Sequence, residues 1–206
     1  MSFIDSTYFV GEINIPNAAT DTLTVAGLTQ AIGQYEKEIL ISLLGYKLYS
    51  LLIADCTNNI PASQIYLDLV NGVEFDHVYR GDTITLKWEG LKNTQLQSLI
   101  AYYVFYKYVE RDITRLYPAG VGVSSEGNGW TKVSAVNKLI NAWERMRELY
   151  GKIPFQYKEY YGHNSDIVLN NTFNCDPSAY NFLYANKNNY PDWIFTPQWN
   201  INAFGI

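Results

Sequence analysis

The residue types that could perform acid, base or nucleophilic chemistry are few in this sequence and stand far apart. The chain has two histidines, His77 and His163, and two cysteines, Cys56 and Cys175. A thiol nucleophile needs a base beside it, and no recognisable nucleophile motif surrounds either cysteine. We therefore predict that the protein is not an enzyme, with a Cys175 and His163 pair as the alternative.

The carboxylates and glycines also lack a chemical motif. The helical segments carry acidic residues at positions expected of solvated faces or of ion pairs between subunits, so no glycosidase pair is indicated: Glu36, Glu38, Glu110, Glu144 and Glu148. The cysteines have no CxxC spacing. The glycine-rich loop 119–130 lacks the GxxxxGK[ST] pattern and no strand is predicted before it. We predict no catalytic, metal-binding or cofactor-binding residue, and no cofactor.

Composition favours protein partners. The net charge is −5, and sequence-independent nucleic-acid binding needs clustered Lys and Arg. Aromatic residues make up 16% of the chain and charged residues 17%, a bias that suits interfaces as well as interiors. No apolar run is long enough to span a membrane, and no basic segment followed by an apolar one opens the chain. We expect no membrane contact, and a protein that works inside a cell or a particle assembled there.

The element around which the chain is organised is a helix predicted over residues 94–117. Its apolar residues recur at three- and four-residue steps, and tyrosines and Phe105 fill most of the remaining positions. Such a helix needs cover from other elements or from other subunits. Arg111, Asp112 and Arg115 mark the end that reaches water, and Pro118 stops the helix.

The other elements predicted in the core are helices and one β-hairpin. Gly45 separates a helix that begins at Leu23 from a shorter one, and Ser134 caps the last helix, which Gly151 ends. The helical period predicts helices over 23–44, 46–54, 62–70 and 134–150, and the period of two predicts a hairpin over 73–88. The loop 119–130 is predicted to be mobile or to become ordered on a partner.

Both ends of the chain are predicted to be arms. Residues 1–22 are apolar without a helical period, and residues 152–206 are rich in Asn and aromatics, unlike disordered tails. The predicted fold class is therefore mainly α: a small helical bundle, residues 23–151, with an inserted β-hairpin and long extended N- and C-terminal arms.

Two stretches resemble a known family. YEKEILISLLGYKLYSLL, residues 35–52, is a helix that ends in Leu-Gly and resumes with an aromatic, a Leu and a Tyr. VGVSSEGNGWTKVSAVNKLINAWERM, residues 121–146, combines a Gly-Val loop, a Ser cap and a helix with a central aromatic. Both resemble the head-to-tail connector (adaptor or neck ring) proteins of tailed bacteriophages, particularly those of Bacteroides-type hosts, including crAss-like phages. The resemblance covers the helical core; the hairpin and the C-terminal arm lie outside it.

The resemblance implies a structural virion protein. Such adaptors form a homo-oligomeric ring, usually of about twelve copies, whose head-to-tail contacts close by rotation. The ring lies below the portal protein, lines the channel through which DNA passes during genome ejection without sequence-specific binding, and docks the tail or further neck proteins. It would be located in the virion neck after assembly in the host cytoplasm.

These expectations assign contacts to two groups of residues. The loop is predicted to touch the portal or the adjacent ring through Val121, Val123, Ser124, Ser125, Glu126, Asn128 and Trp130. The C-terminal arm is predicted to touch neighbouring subunits through Tyr180, Phe182, Tyr184, Tyr190, Trp193, Phe195, Trp199 and Phe204. The alternatives are a tail-side neck ring and, from another class, a carbohydrate-binding module whose Trp193, Trp199 and tyrosines stack on sugars.

Overall fold

A computed structural model describes residues 2–16, 21–79, 82–93, 98–117, 120–123, 136–151 and 177–198. The helices are α1 (Thr22–Leu44), α2 (Tyr46–Asp55), α3 (Gln64–Asn71), α4 (Leu99–Ile113), α5 (Val136–Tyr150) and α6 (Ala179–Ala185). The antiparallel strand pairs are β1 (Cys56–Thr57) with β2 (Ile60–Pro61), β3 (Val73–Tyr79) with β4 (Asp82–Trp88), and β5 (Thr114–Tyr117) with β6 (Gly120–Val123). The mainly α fold with an inserted β-hairpin is confirmed.

Helix α4 is the centre of the bundle. Every side chain from residue 99 to residue 106 is buried, and α1 and α5 both pack against it. Burial on all sides explains why the helix has no polar face over these residues. The cover comes from the chain's own helices.

The predicted length of this helix was wrong at both ends. The helix begins at Leu99, where the Ser98 hydroxyl accepts a hydrogen bond from Ile100 N at 3.1 Å. It ends at Ile113, and β5 then pairs with the glycine-rich β6. A strand therefore does lead into the glycine-rich loop, contrary to the sequence prediction. A run of four residues is too short for its period to distinguish a strand from a last helical turn.

The first two helices, α1 and α2, follow the sequence prediction closely. The Asp21 carboxylate accepts a hydrogen bond from Thr24 N at 2.8 Å and caps α1. Gly45, with φ +78°, separates α1 from α2. On α2, Leu48 and Leu52 are buried, whereas Leu51 is 43% exposed.

The predicted hairpin is confirmed as β3–β4. The register pairs Val73 with Trp88 and Phe75 with Leu86, so the apolar residues of both strands share one face. Leu86 and Trp88 are buried, and the Trp88 indole N–H donates to Leu69 O at 3.0 Å. The hairpin is therefore fastened to the C-terminal end of α3.

The N-terminal residues lie on the bundle. They form two 3₁₀ turns, Ser6–Tyr8 and Gly11–Ile13, and their apolar side chains belong to the core: Phe3, Ile4, Phe9, Ile13 and Ile15. Glu36 of α1 was predicted to face solvent but is 4% exposed, because its carboxylate accepts hydrogen bonds from this segment.

Candidate functional site

The described part of the C-terminal arm returns to the core through residues 190–198, which we call the C-terminal strap. Its donors meet the carbonyl groups left open at the end of α1. Trp193 Nε1 donates to Leu43 O at 2.8 Å, Ile194 N donates to Leu44 O at 3.1 Å, and Thr196 N donates to Ser42 O at 2.8 Å. The strap therefore caps the C-terminal end of α1.

Two tyrosines attach the strap to other helices. The hydroxyl of Tyr190 donates to Ile65 O of α3 at 2.7 Å, and the hydroxyl of Tyr150 in α5 donates to Thr196 O at 2.6 Å. Burial raises the pKa of both phenols well above the ordinary value, so both stay neutral donors. The strap thus connects α1, α3 and α5.

Helix α6 buries one of the predicted neighbour contacts. Phe182 is 2% exposed and stacks on Trp88 with ring centroids 5.4 Å apart; the ring of Phe75 meets it edge-on at 5.3 Å. Tyr190 is also buried beside it, at 6.1 Å. Phe182 and Tyr190 are therefore core residues of their own chain, which corrects their assignment as contacts to a neighbouring subunit. The C-terminal arm was predicted to be extended, and helix α6 within it corrects that prediction.

Four other predicted contact residues form a half-exposed aromatic cluster. Tyr180 lies at the centre, with its ring centroid 4.7 Å from Phe195, 5.4 Å from Trp193 and 5.8 Å from Tyr184. Each of the four side chains is partly accessible. Their contact with a neighbouring subunit stays a prediction. The indole N–H of Trp193 already donates to a main-chain carbonyl, so it is not available to a sugar.

The remaining predicted contact residues yield less. Val121 and Val123 lie on β6. The others lie outside the described residues: Ser124, Ser125, Glu126, Asn128, Trp130, Trp199 and Phe204. Their contacts stay predictions.

A surface with several exposed apolar side chains adjoins the strap. Strand β2 contacts both α2 and α3, and the strap bonds to α3 and to the α1–α2 junction. This strap surface carries Tyr46 (71% exposed), Ile194 (66%), Ile60 (58%), Leu51 (43%) and Ile65 (39%). Large apolar side chains exposed on neighbouring elements are typical of an interaction site.

Gly45 determines the form of this surface at the helix junction. Its φ of +78° is unfavourable for other residues, and a Cβ there would lie 2.9 Å from Ile194 Cβ. Glycine therefore lets the strap lie directly on the α1–α2 junction. Tyr46, which follows Gly45 directly, and Ile194 are both exposed at this junction.

A second concave feature lies between the N-terminal segment and α5. It is a groove of about 210 Å³ lined by Glu12, Ile13, Lys138, Asn141 and Ala142. The Tyr102 hydroxyl of α4 donates to the Glu12 carboxylate, and this hydrogen bond and burial raise the pKa of Tyr102 to about 12. A hydrogen bond between α4 and the N-terminal segment therefore holds one wall of the groove, and α5 forms the other wall.

The residues first considered for chemistry are not brought together in the described part of the chain. His77 is half-buried on β3, as predicted, and Cys56 is a half-buried free thiol whose pKa is raised by burial. Cys175 and His163 lie outside the described residues. Among the described residues, no group of three or more Asp, Glu, His or Cys side chains could hold a metal ion. No helix in the same part of the chain has the length and hydropathy to cross a membrane.

Comparison with known proteins gives one match. The model of a family of unknown function, DUF6712, matches residues 40–147, just over half of the chain. The chain belongs to this family. The matched region begins near the end of α1 and includes α2 to α4, the hairpin and nearly all of α5. No curated protein and no solved structure matches the chain.

Sequence analysis missed the strap as a cap of α1 and Glu36 as an anchor. Neither has a local pattern, because the strap bonds to residues about 150 positions earlier, and Glu36 bonds to residues more than 30 positions earlier. The one available signal was a glycine followed at once by a second helix. Gly45 indicated a tight approach at that point, without indicating which segment approaches.

Proposed function

We propose that this protein is a structural component of a tailed-phage particle, a head-to-tail adaptor whose copies form a ring below the portal. The observation that carries the proposal is where the two connector-like stretches lie. Residues 35–52 belong to α1 and α2, residues 121–146 include most of α5, and α1 and α5 pack against the same central helix α4. The resemblance therefore concerns one packed unit.

The surface properties suit a subunit of an assembly. The strap surface exposes Tyr46 and Ile194, and the aromatic cluster around Tyr180 is half-exposed. Apolar and aromatic groups of this kind form the centres of protein interfaces. The net charge of −5 suits a channel wall that DNA passes without binding.

The proposal assigns the interfaces differently from the sequence prediction. Phe182 and Tyr190 hold the fold together, and the contact between subunits uses the half-exposed aromatic cluster and the strap surface. The segment 119–130, predicted as a loop, contacts the portal or the adjacent ring. The alternative is the same ring on the tail side of the neck, where it would have a different neighbour.

Native mass spectrometry tests the proposal on the full chain, alone and mixed with the portal protein of the same phage. We expect a closed oligomer, or a complex with the portal that contains many copies. Imaging of the intact particle should then place the protein at the neck. A chain that stays a monomer in every condition, with no portal complex, would contradict the proposal.

A further inference from the structure

The break between α1 and α2 separates three main-chain carbonyls from their helical donors. In a continuous helix, each carbonyl accepts a hydrogen bond from the N–H group four positions later. The carbonyls of residues 42–44 would therefore accept from the N–H groups of residues 46–48. The neighbouring bonds are regular, since Gly45 N donates to Ile41 O at 2.9 Å and Tyr49 N donates to Gly45 O at 3.0 Å. The break therefore interrupts three consecutive bonds of one helical series.

The C-terminal strap supplies other donors to these same three carbonyls. Each of them accepts a hydrogen bond from the strap: Ser42 O from Thr196 N at 2.8 Å, Leu43 O from Trp193 Nε1 at 2.8 Å, and Leu44 O from Ile194 N at 3.1 Å. The start of α2 has no corresponding replacement, because no described side chain caps its N-terminal end at Gly45. The strap therefore satisfies the acceptors that the break would otherwise leave open.

The apolar pattern of the sequence continues through the break. Four buried leucines follow one another at four-residue steps across it: Leu40, Leu44, Leu48 and Leu52. Residues four positions apart lie on the same face of a helix, so the buried face of α1 continues in phase into α2. The sequence on the two sides of Gly45 is therefore compatible with one helix from Thr22 to Asp55.

Gly45 is the residue at which the chain turns, and the strap lies against it. Its φ of +78° is rare for other residues, and a Cβ there would lie 2.9 Å from Ile194 Cβ. Burial and, after it, the negative charge of Glu36 raise the pKa of the Tyr49 phenol, so these two side chains lie near each other. Along a straight helix, their separation in the sequence would correspond to about 20 Å. Helix α2 is therefore turned back toward α1.

From these contacts we infer that the C-terminal strap is a conformational lock, and that α1 and α2 join into one helix, residues 22–55, when the strap leaves their junction. The N–H groups of residues 46–48 then take the place of the strap donors. Joining moves Leu48 and Leu52 out of the core, so the broken form predominates in the wild type. The strap surface includes parts of α2 and of the strap, and it exists only in the broken form. Both forms belong to a single chain, so the inference does not depend on the proposed function.

Distances between spin labels on α1 and α2 test the lock. Gln30→Cys and Ala54→Cys carry the labels at exposed positions on the two helices, in a full chain that also has Cys56→Ser and Cys175→Ser. In the joined helix these two positions lie about 36 Å apart along the axis, because each residue rises about 1.5 Å. We expect a shorter distance for the main population of the otherwise unchanged chain, in which α2 turns back.

Two independent changes should populate the joined form. Gly45→Ala disfavours the positive φ of the break, crowds Ile194 and introduces the best helix-forming residue. Ile194→Pro combined with Thr196→Pro removes two of the strap's main-chain donors, because proline has no N–H group. We expect each change to raise the long-distance population about tenfold or more above that of the unchanged junction. Circular dichroism should show that helix content is kept.

Each change has a matched control. Gly33→Ala adds a methyl group to α1 at a position where nothing lies within 4 Å, and Ile194→Ala shortens an exposed side chain but keeps the N–H donor. Both controls should keep the short distance. A short distance that persists in Gly45→Ala and in the double proline variant would overturn the inference. Loss of helix content without the long-distance population would also overturn it, and if one of the two variants does not fold, the other decides.

Discussion

The N-terminal segment and the C-terminal strap both lie on α1, but different groups hold them there. Three donors of the N-terminal segment converge on one carboxylate: Ser2 Oγ at 2.6 Å, Phe3 N at 2.8 Å and Ile4 N at 3.4 Å from Glu36. The strap is held by three main-chain carbonyls of α1 and by ring contacts of its Tyr190 with Phe182 and of its Phe195 with Tyr150. The hydrogen bonds of residues 2–4 therefore converge on one ionisable side chain, whereas those of the strap are distributed over main-chain carbonyls and do not titrate near neutral pH.

The largest effect is expected where the C-terminal attachment is most deeply buried. Phe182→Ala removes a ring that contacts Phe75, Trp88 and Tyr190. We expect the free energy of unfolding to fall by about 3 to 5 kcal/mol, as for other buried Phe to Ala changes. Urea denaturation followed by circular dichroism measures it.

Tyr184→Ala is the matched control on the same helix. Tyr184 is half-exposed and stacks on Tyr180 at 5.8 Å, so we expect a loss of about 1 kcal/mol or less. Equal losses for Phe182→Ala and Tyr184→Ala would show that α6 is not part of the core. The arm would then be free to bind a neighbouring subunit, as the sequence first suggested.

The second prediction concerns the N-terminal attachment. Glu36→Ala leaves the buried main-chain N–H of Phe3 without its acceptor, and an unpaired buried donor costs about 1 to 3 kcal/mol. We expect a loss of stability in that range and faster amide hydrogen exchange at Phe3 and Ile4, with the strap residues protected as before. Lys37→Ala, at the exposed neighbouring position, should change neither quantity. Loss of protection in the strap as well would show that the two attachments are coupled.

The third prediction uses pH to separate the two ends. Burial is the largest influence on Glu36 and raises the pKa of its carboxyl, although its hydrogen bonds with Ser2, Phe3 and Ile4 act in the opposite direction. The folded state therefore binds the proton more readily than the unfolded state. The resulting stability is fully present below the unfolded pKa and is lost as pH rises through the folded pKa.

Glu36→Gln tests this sign, because the amide does not titrate. We expect the wild type to lose stability relative to Glu36→Gln as pH rises through the folded pKa of Glu36, which lies above the ordinary glutamate value of about 4.3. The effect should be smaller than that of Glu36→Ala, since the carboxyl keeps acceptor oxygens in both protonation states. Urea denaturation of both proteins between about pH 4 and pH 8 measures this difference in stability. A difference that is constant with pH would contradict the assigned cause.

Features that depend on residues within one segment could be predicted from the sequence, whereas contacts between distant segments could not. The burial of α4 and the hairpin over residues 73–88 follow from periods within a single segment, and both were predicted. The strap was not, because an aromatic, Asn-rich segment looks the same whether it covers its own chain or a neighbour. Phe182 and Tyr184 are two residues apart and both aromatic, yet only Phe182 is buried at the hairpin.

The prediction that Glu36 faces solvent was wrong for a related reason. On α1 it lies beside Lys37 and Glu38, so the local pattern is that of a solvated face. Its burial is caused by residues 2–4, which no helical period connects to it. The same limit applies to the groove, since Glu12 and Lys138 come from opposite ends of the described core.

The smallest expected effect lies on the surface of the C-terminal attachment. Lys47 and Asp192 form an ion pair at 2.6 Å, with the Lys47 side chain 70% exposed. Exposed pairs of this kind contribute about 0 to 1 kcal/mol, so Lys47→Ala should change the free energy of unfolding by about 0.5 kcal/mol or less. Urea denaturation at low and at high salt measures it, with Lys187→Ala, another exposed lysine, as control. A large, salt-dependent loss would mean that charge holds the strap on α1. Because the strap already bonds to Ser42, Leu43 and Leu44 through neutral donors, we expect it to remain in place.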